Sequence, residues 1–183
     1  MRILGIAGSL RPDSYNRRLL LAVAELLPDD VALEVWDGLK AVPPYDEQDD
    51  VEPAPAAVAR LRAAIAGADA VLFATPEYNS SIPGQLKNAL DWASRPLATN
   101  VLRNKPVAVI GASTGVFGAV WAQAELRKVL GAIGARVVDA EVAVGQAEER
   151  LAPGRPVDHD LRDQLREVVW SLVDETVPVR LAA

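Results

Sequence analysis

Ser9, Arg11, Ser14 and Asn16 lie close together, after the apolar segment "RILGIA" and at the start of a helical pattern that begins at residue 15. Hydroxyl and amide groups at a strand-to-helix turn can hydrogen bond to an anion, and the planar guanidinium of an arginine matches phosphate oxygens. The backbone N–H groups at the start of the following helix point to the same place. The sequence therefore predicts a site for a terminal phosphate. In the alternative interpretation, Ser14 only caps the helix and Arg11 is a solvated surface residue.

A second polar segment, "PEYNSSIPG", follows an apolar run that ends at Thr75. Pro76 restricts the residue before it to extended or turn geometry. Glu77, Tyr78 and Asn79 then lie where a planar ring could rest, with the tyrosine as an aromatic wall. A proline-flanked turn with a surface tyrosine is the alternative, and the sequence leaves both open.

The third polar segment, "GASTGVFG", has glycines at 111, 115 and 118. It follows a strand and precedes a helix, and Asp139 lies about 20 residues beyond it, as in a dinucleotide-binding fingerprint. Its spacing is G-x-x-x-G-x-x-G, which lacks the short first gap of that turn. We therefore expect Gly115 to let the backbone approach a flat ligand. Ser113 and Thr114 would hydrogen bond to the rim of that ligand.

Alternating strand and helix patterns position these segments. Apolar runs predict five strands, at residues 2–8, 31–37, 69–75, 105–113 and 135–144. Helical periodicity predicts five helices, at residues 15–27, 56–68, 85–94, 119–133 and 158–177, and a long acidic loop spans 38–55. Such alternation predicts a parallel sheet between two helical layers. Because 31–37 has the pattern of an edge strand, we expect the flavodoxin-like α/β/α fold with strand order 2-1-3-4-5. Ligands of such sheets bind where strands one, three and four end, so the three polar segments would meet there.

The amino-acid composition excludes several kinds of chemistry and binding partner. The 183 residues suggest a single domain over 1–183, and the absence of cysteine excludes disulfides, thiolate catalysis and cysteine-bound clusters. A lone histidine, His159, excludes a histidine-rich metal site and argues against a Ser–His triad. The net charge of −6, without a basic run, does not support a nucleic-acid surface. No signal peptide or membrane span is recognisable, which predicts a cytoplasmic protein.

A phosphate site beside a site for a flat ring fits FMN. The motifs "GSLRPDSYN" and "TPEYNSSIPGQLKNALDWAS" resemble those of the NADPH-dependent FMN reductase family, the flavodoxin-like quinone, azo-dye and chromate reductases, and the resemblance covers nearly the whole chain. It implies that Ser9, Arg11, Ser14 and Asn16 hold the FMN phosphate, and Tyr15 belongs to the same set. Pro76, Glu77, Tyr78 and Asn79 would line the isoalloxazine and the ribityl chain. The pyrimidine side would contact Ser113 and Gly115, and Thr114 belongs to the same cofactor-binding set.

The resemblance also implies an activity: hydride passes from NADPH or NADH to FMN, and then to a quinone or similar small acceptor. No catalytic side chain is required, because the cofactor carries the chemistry, and Glu77 would have an orienting role. A non-enzymatic electron carrier of the flavodoxin type is the alternative, and a phosphate-binding module without redox activity is a third. Ser80 stands where several family members carry an aromatic residue.

Three tryptophans bear on assembly. Trp92 and Trp121 fall off the apolar stripes of their helices and are expected to face outward as one apolar patch. This predicts a two-fold dimer through the third and fourth helices. Trp170 lies off the stripe of the last helix, on the other face of the sheet, so that a homotetramer is also possible.

Overall fold

The computed structural model describes residues 1–154 and 157–176, and the last residue of the final predicted helix, at 177, lies outside them. Five strands form one parallel sheet: β1 (Arg2–Ala7), β2 (Ala32–Trp36), β3 (Ala70–Thr75), β4 (Pro106–Ala112) and β5 (Arg136–Val144). The helices are α1 (Tyr15–Ala24), α2 (Ala56–Ala66), α3 (Gly84–Ala93), α4 (Val120–Ile133), α5 (Ala147–Arg150) and α6 (His159–Asp174). The short α5 was not predicted from the sequence, and α1 ends three residues earlier than its predicted limit at 27.

The strand order is β2-β1-β3-β4-β5, as predicted. Every residue of β3 and β4 is buried, whereas β2 is partly exposed at its edge. Alternate residues of a strand point to opposite faces. Val71 and Phe73 thus pack with α2, α3 and α4, and Ala70 and Leu72 pack with α1 and α6. The fold is therefore the three-layer flavodoxin-like architecture.

Helix capping follows the sequence closely. The Ser14 hydroxyl accepts a hydrogen bond from the backbone N–H of Arg17, and Asp158 caps α6 in the same way through Leu161. Gly134 ends α4 with a φ of +98°, a conformation that glycine adopts without strain. Among the described residues, no helix has both the length and the apolar character needed to cross a membrane.

The prediction that Trp92 faces outward is wrong. Its side chain is fully buried, its indole N–H donates to the Pro43 carbonyl at 2.9 Å, and its ring meets Tyr45 edge to face with centroids 5.0 Å apart. The acidic loop 38–55 causes this burial because it folds over the outer face of α3. Gln85 and Asn88 hold the loop there by donating to backbone carbonyls of Leu39, Val42 and Pro43.

The loop itself contains two short 3-10 helices, Leu39–Ala41 and Glu47–Asp49. Its acidic part is mostly exposed, but Asp50 pairs with Arg62 of α2 at 2.9 Å. Trp121 and Trp170 are each half exposed, which confirms the outward orientation predicted for these two residues.

Candidate functional site

Three loops meet at the carboxyl ends of β1, β3 and β4: loop one (residues 8–14), loop two (76–83) and loop three (113–119). They enclose one cleft. Its lining includes the unpredicted Ala112 and ten of the twelve residues that the sequence indicated as cofactor ligands: Ser9, Arg11, Ser14, Tyr15, Asn16, Pro76, Glu77, Tyr78, Ser113 and Thr114. Asn79 and Gly115 lie outside that lining.

Loop one places a cation beside the start of α1. Ser14 is 3% exposed, and its oxygen is the N-cap acceptor, so the hydroxyl hydrogen remains available to a ligand. Arg11 is exposed, and its guanidinium carbon lies 6.0 Å from the centre of the Tyr15 ring, which Arg18 approaches to 5.5 Å. Ser14 therefore caps the helix, as in the alternative interpretation, without being lost as a hydrogen-bond donor.

Asn16 fastens the start of α1 to the end of β4. Its side-chain amide donates to the Ala112 carbonyl and accepts from the Ala112 N–H, both at 2.9 Å, in a site where Asn16 is 1% exposed. Loops one and three are thereby held side by side. The carbonyl oxygen and one amide hydrogen of Asn16 are committed to this contact, which leaves the second amide hydrogen for a ligand.

Loop two is a tight hairpin turn. The backbone N–H groups of Tyr78 and Ser81 donate to each other's carbonyls, at 3.0 and 3.2 Å. Asn79 and Ser80 between them have φ values of 54° and 60°, in the left-handed region that a turn of this type requires at both central positions. Tyr78 is 50% exposed beside the cleft.

Glu77 connects loop two to α4. Its carboxylate accepts hydrogen bonds from the backbone N–H groups of Trp121 and Ala122, both at 3.2 Å. Ala119, at the N-cap position of α4, offers no capping side chain, so Glu77 fills that role from 44 positions away in the chain. A carboxylate is favourable at this end of a helix because the helix dipole is positive there. The second contact of loop two with α4 runs from the Ser81 hydroxyl to Glu125, at 2.5 Å.

The glycines of loop three differ in what they do. A Cβ on Gly118, which has a φ of +60°, would lie 2.5 Å from the Ala143 backbone, so the protein's own packing requires this glycine. At Gly111, the last glycine of β4, a Cβ would lie 2.8 Å from the Gln123 side chain, which would have to move. A Cβ on Gly115 would meet only the Ser113 hydroxyl, at 3.7 Å. The space beside Gly115 is therefore not used by the packing of the described residues, and a ligand could occupy it.

This donor set fits FMN chemically. Loop one combines hydroxyls, a guanidinium and the positive end of α1, which suits a phosphate. Tyr78 supplies an aromatic surface and loop three a close backbone approach, which suit a flat ring. Ala112 was missed because an alanine at the end of a buried strand carries no chemical signal in the sequence.

The fold and this cleft define a flavodoxin-like protein of the FMN-binding class, and the comparisons with known proteins agree. Residues 1–149 match the family model of NADPH-dependent FMN reductases. The chain is 40% identical over 174 residues to the NAD(P)H-dependent FMN reductase of Pseudomonas aeruginosa, covering 94% of this chain and 93% of that protein. It is 39% identical to the 2-hydroxy-1,4-benzoquinone reductase of a Burkholderia species, covering 91% of each chain.

Among solved structures, the flavoenzyme NAD(P)H:(acceptor) oxidoreductase FerB from Paracoccus denitrificans superposes with a TM-score of 0.84 at 36% identity, covering 96% of both chains. The chain belongs to the NADPH-dependent FMN reductase family. These relatives favour an enzyme over a non-enzymatic electron carrier.

Proposed function

We propose that this protein is an FMN-dependent NAD(P)H oxidoreductase that reduces a quinone or a similar small acceptor, and that residues 1–183 form one FMN-binding domain. The observation that carries the proposal is the convergence of three loops on one cleft, with Arg11 and the start of α1 on one side and Ser113 and Thr114 of loop three on the other. The family membership and the quinone-reducing relative support the same activity.

FMN, when bound, supplies the redox chemistry by accepting hydride from a nicotinamide and returning the electrons to the acceptor. The residues of the chain bind and orient. Arg11 and Ser14 hold the phosphate, while Ser113 and Thr114 hydrogen bond to the rim of the ring. Glu77 positions loop two through α4 and leaves Tyr78 beside the ring.

The phosphate assignment is tested by Arg11→Ala in a fluorescence titration with FMN and with riboflavin. A hydrogen bond to a charged group contributes about 1.5–3 kcal/mol, so the substitution should weaken FMN binding by that amount. Riboflavin lacks the phosphate and should bind weakly to both proteins. Arg60→Ala, at an exposed position on α2, is the matched control. Equal affinity of the native protein for FMN and riboflavin would contradict the assignment.

The activity is tested by steady-state oxidation of NADPH and NADH with a benzoquinone, with and without added FMN. Both substrates should use one site in turn, so that the kinetics are ping-pong. A protein that binds FMN but does not oxidise either nucleotide would indicate an electron carrier instead.

We also propose a two-fold dimer, whose interface does not include the buried Trp92. Val116, Phe117 and Trp121 are 75%, 63% and 50% exposed, and the two aromatic rings meet edge to face at 5.1 Å. This apolar patch adjoins loop two, so a partner seated on it would also border the cleft.

Light scattering of the native protein and of the double variant Phe117→Glu/Trp121→Glu tests this dimer. The double variant should be monomeric, and Trp170→Glu, on the opposite face, is the control that reports a tetramer contact. A native protein that is monomeric at micromolar concentration would refute the proposal.

A further inference from the structure

A second cavity lies at the same edge of the sheet, on the other side of loop one. It is formed at the carboxyl ends of β1 and β2 and has a volume of about 300 Å³, against about 140 Å³ for the three-loop cleft. Ser9 and Arg11 line both cavities, so that loop one is a wall between them. The binding of FMN proposed above leaves this second cavity unused.

One side of the second cavity is flat and apolar. The half-buried Trp36 lines it together with Val35 and Leu39. The Trp36 ring lies directly over Gly38, where an added Cβ would stand 2.4 Å from the ring, so this orientation of the indole requires a glycine. Such a wall suits an aromatic base, which can stack on the indole.

The other side is basic. Arg17 and Lys40 line the cavity with Asp37 as the opposing charge, which leaves an excess of one positive charge besides Arg11, the residue assigned above to the FMN phosphate, in a chain whose net charge is −6. Nη2 of Arg17 lies 3.4 Å from Asp37. Nη1 of Arg17 is buried and has no hydrogen-bond acceptor among the described residues. Because a buried N–H without an acceptor is unfavourable, an anion that draws this guanidinium into the cavity would supply the missing partner.

We propose that the second cavity binds the phosphoadenosine end of the dinucleotide reductant, an assignment that rests on the proposed function. Trp36 stacks on the base, and Arg17 and Lys40 pair with the phosphate on the ribose. Asp37 accepts a hydrogen bond from a ribose hydroxyl. Neighbouring strands are about 4.8 Å apart, so the cavity lies roughly 10 Å from loops two and three, a gap that an extended dinucleotide spans. A site of this kind selects NADPH over NADH.

The cavity is tested first by calorimetric titration of the FMN-loaded protein with adenosine 2′,5′-bisphosphate and with 5′-AMP. The bisphosphate should bind roughly tenfold or more tightly, because its additional phosphate makes charge-assisted hydrogen bonds. Arg17→Gln and Lys40→Gln should each abolish most of that difference, whereas Arg60→Gln should retain it. Lys40 is exposed, so its variant remains informative if Arg17→Gln disturbs the fold. Equal affinities for the two nucleotides, or native affinities in both variants, would overturn the assignment.

Kinetics with the same variants separate this assignment from the proposed function. We expect Arg17→Gln and Lys40→Gln to raise KM for NADPH by roughly tenfold and to leave KM for NADH and the FMN affinity unchanged. A protein that binds FMN and the bisphosphate but does not oxidise either dinucleotide contradicts the proposed function and supports the cavity as a nucleotide site. A holoenzyme that oxidises both dinucleotides, with KM values insensitive to the two substitutions, overturns the cavity assignment alone.

Discussion

Removing the carboxylate of Glu77 should destabilise the protein and weaken FMN binding together, since this side chain joins loop two to α4. In Glu77→Ala, the N–H groups of Trp121 and Ala122 lose their acceptor, and the 14-residue helix has no capping side chain at Ala119 to replace it. Loss of a helix cap reduces the free energy of unfolding by about 0.5–2 kcal/mol. With two bonds to a charged acceptor lost, we expect the upper half of that range, about 1–2 kcal/mol.

Urea and thermal unfolding measured by circular dichroism give this change directly. For a chain of this size, each kcal/mol lowers Tm by roughly 2–4 °C. Glu77→Gln keeps an oxygen acceptor but loses the charge, and should lose about half as much as Glu77→Ala because charge-assisted bonds are roughly twice as strong as neutral ones. Glu167→Ala, at an exposed position of α6, removes the same side chain from a site without a capping role and serves as the control.

FMN titration is the second readout. Without Glu77, loop two keeps only its Ser81–Glu125 contact with α4 among the side-chain hydrogen bonds described above, so FMN must order a looser loop when it binds. A cost of about 1 kcal/mol corresponds to a roughly fivefold higher Kd. If Glu77→Ala unfolds at the same urea concentration as Glu167→Ala and binds FMN as the native protein does, the capping role is refuted.

Three further substitutions probe other parts of the structure. Asn16→Ala removes both hydrogen bonds with Ala112 in a buried site, so it should lower the free energy of unfolding in urea by about 2–4 kcal/mol and weaken FMN binding. A variant as stable as the native protein would show that these two hydrogen bonds do not stabilise the fold. Ser80→Gly removes the strain of a non-glycine residue at a φ of 60° and should raise the free energy of unfolding by about 0.5–1 kcal/mol. A lower Tm would contradict that reasoning. Trp92→Glu should leave the chain unfolded in circular dichroism, and a folded monomer would mean that the loop does not depend on the buried indole.

Much of the architecture could be predicted because it is encoded locally. The apolar runs of β1, β3 and β4 and the edge character of β2 determine the strand order, and that order brings the three polar loops together. The residue types of Ser14 and Asp158, which are favoured at N-cap positions, predict where α1 and α6 begin.

Trp92 was misjudged for a reason of tertiary structure. A helical wheel compares each residue only with its own helix, and Trp92 does lie away from the stripe that faces the sheet. The missing information was the folding of loop 38–55 over α3. A signal was nevertheless present, since Gln85, Asn88 and Trp92 recur at spacings of three and four and form a second stripe on α3 that binds the loop.

The roles of Glu77 and Asn16 could not be read from the sequence for a related reason. Their partners lie 44 and 96 positions away, and each partner is a backbone group that carries no residue-type signal. The sequence placed Glu77 in loop two and Asn16 at the start of α1, and it assigned both residues to the ligand. The structure shows that Glu77 also binds the start of α4 and that Asn16 also binds the end of β4.

The contact between Asn16 and Ala112 has a consequence for binding energy. A side-chain amide that donates to and accepts from the same backbone residue imitates a peptide group and adds one more hydrogen-bonded pair beyond the end of β4. The two walls of the cleft are thus set at a fixed width before any ligand arrives. Binding of a ligand then costs little free energy for ordering the loops, so the affinity depends mainly on the contacts between ligand and protein. The cleft is preorganised by an uncharged, buried side chain whose strength does not depend on salt or on pH near neutrality.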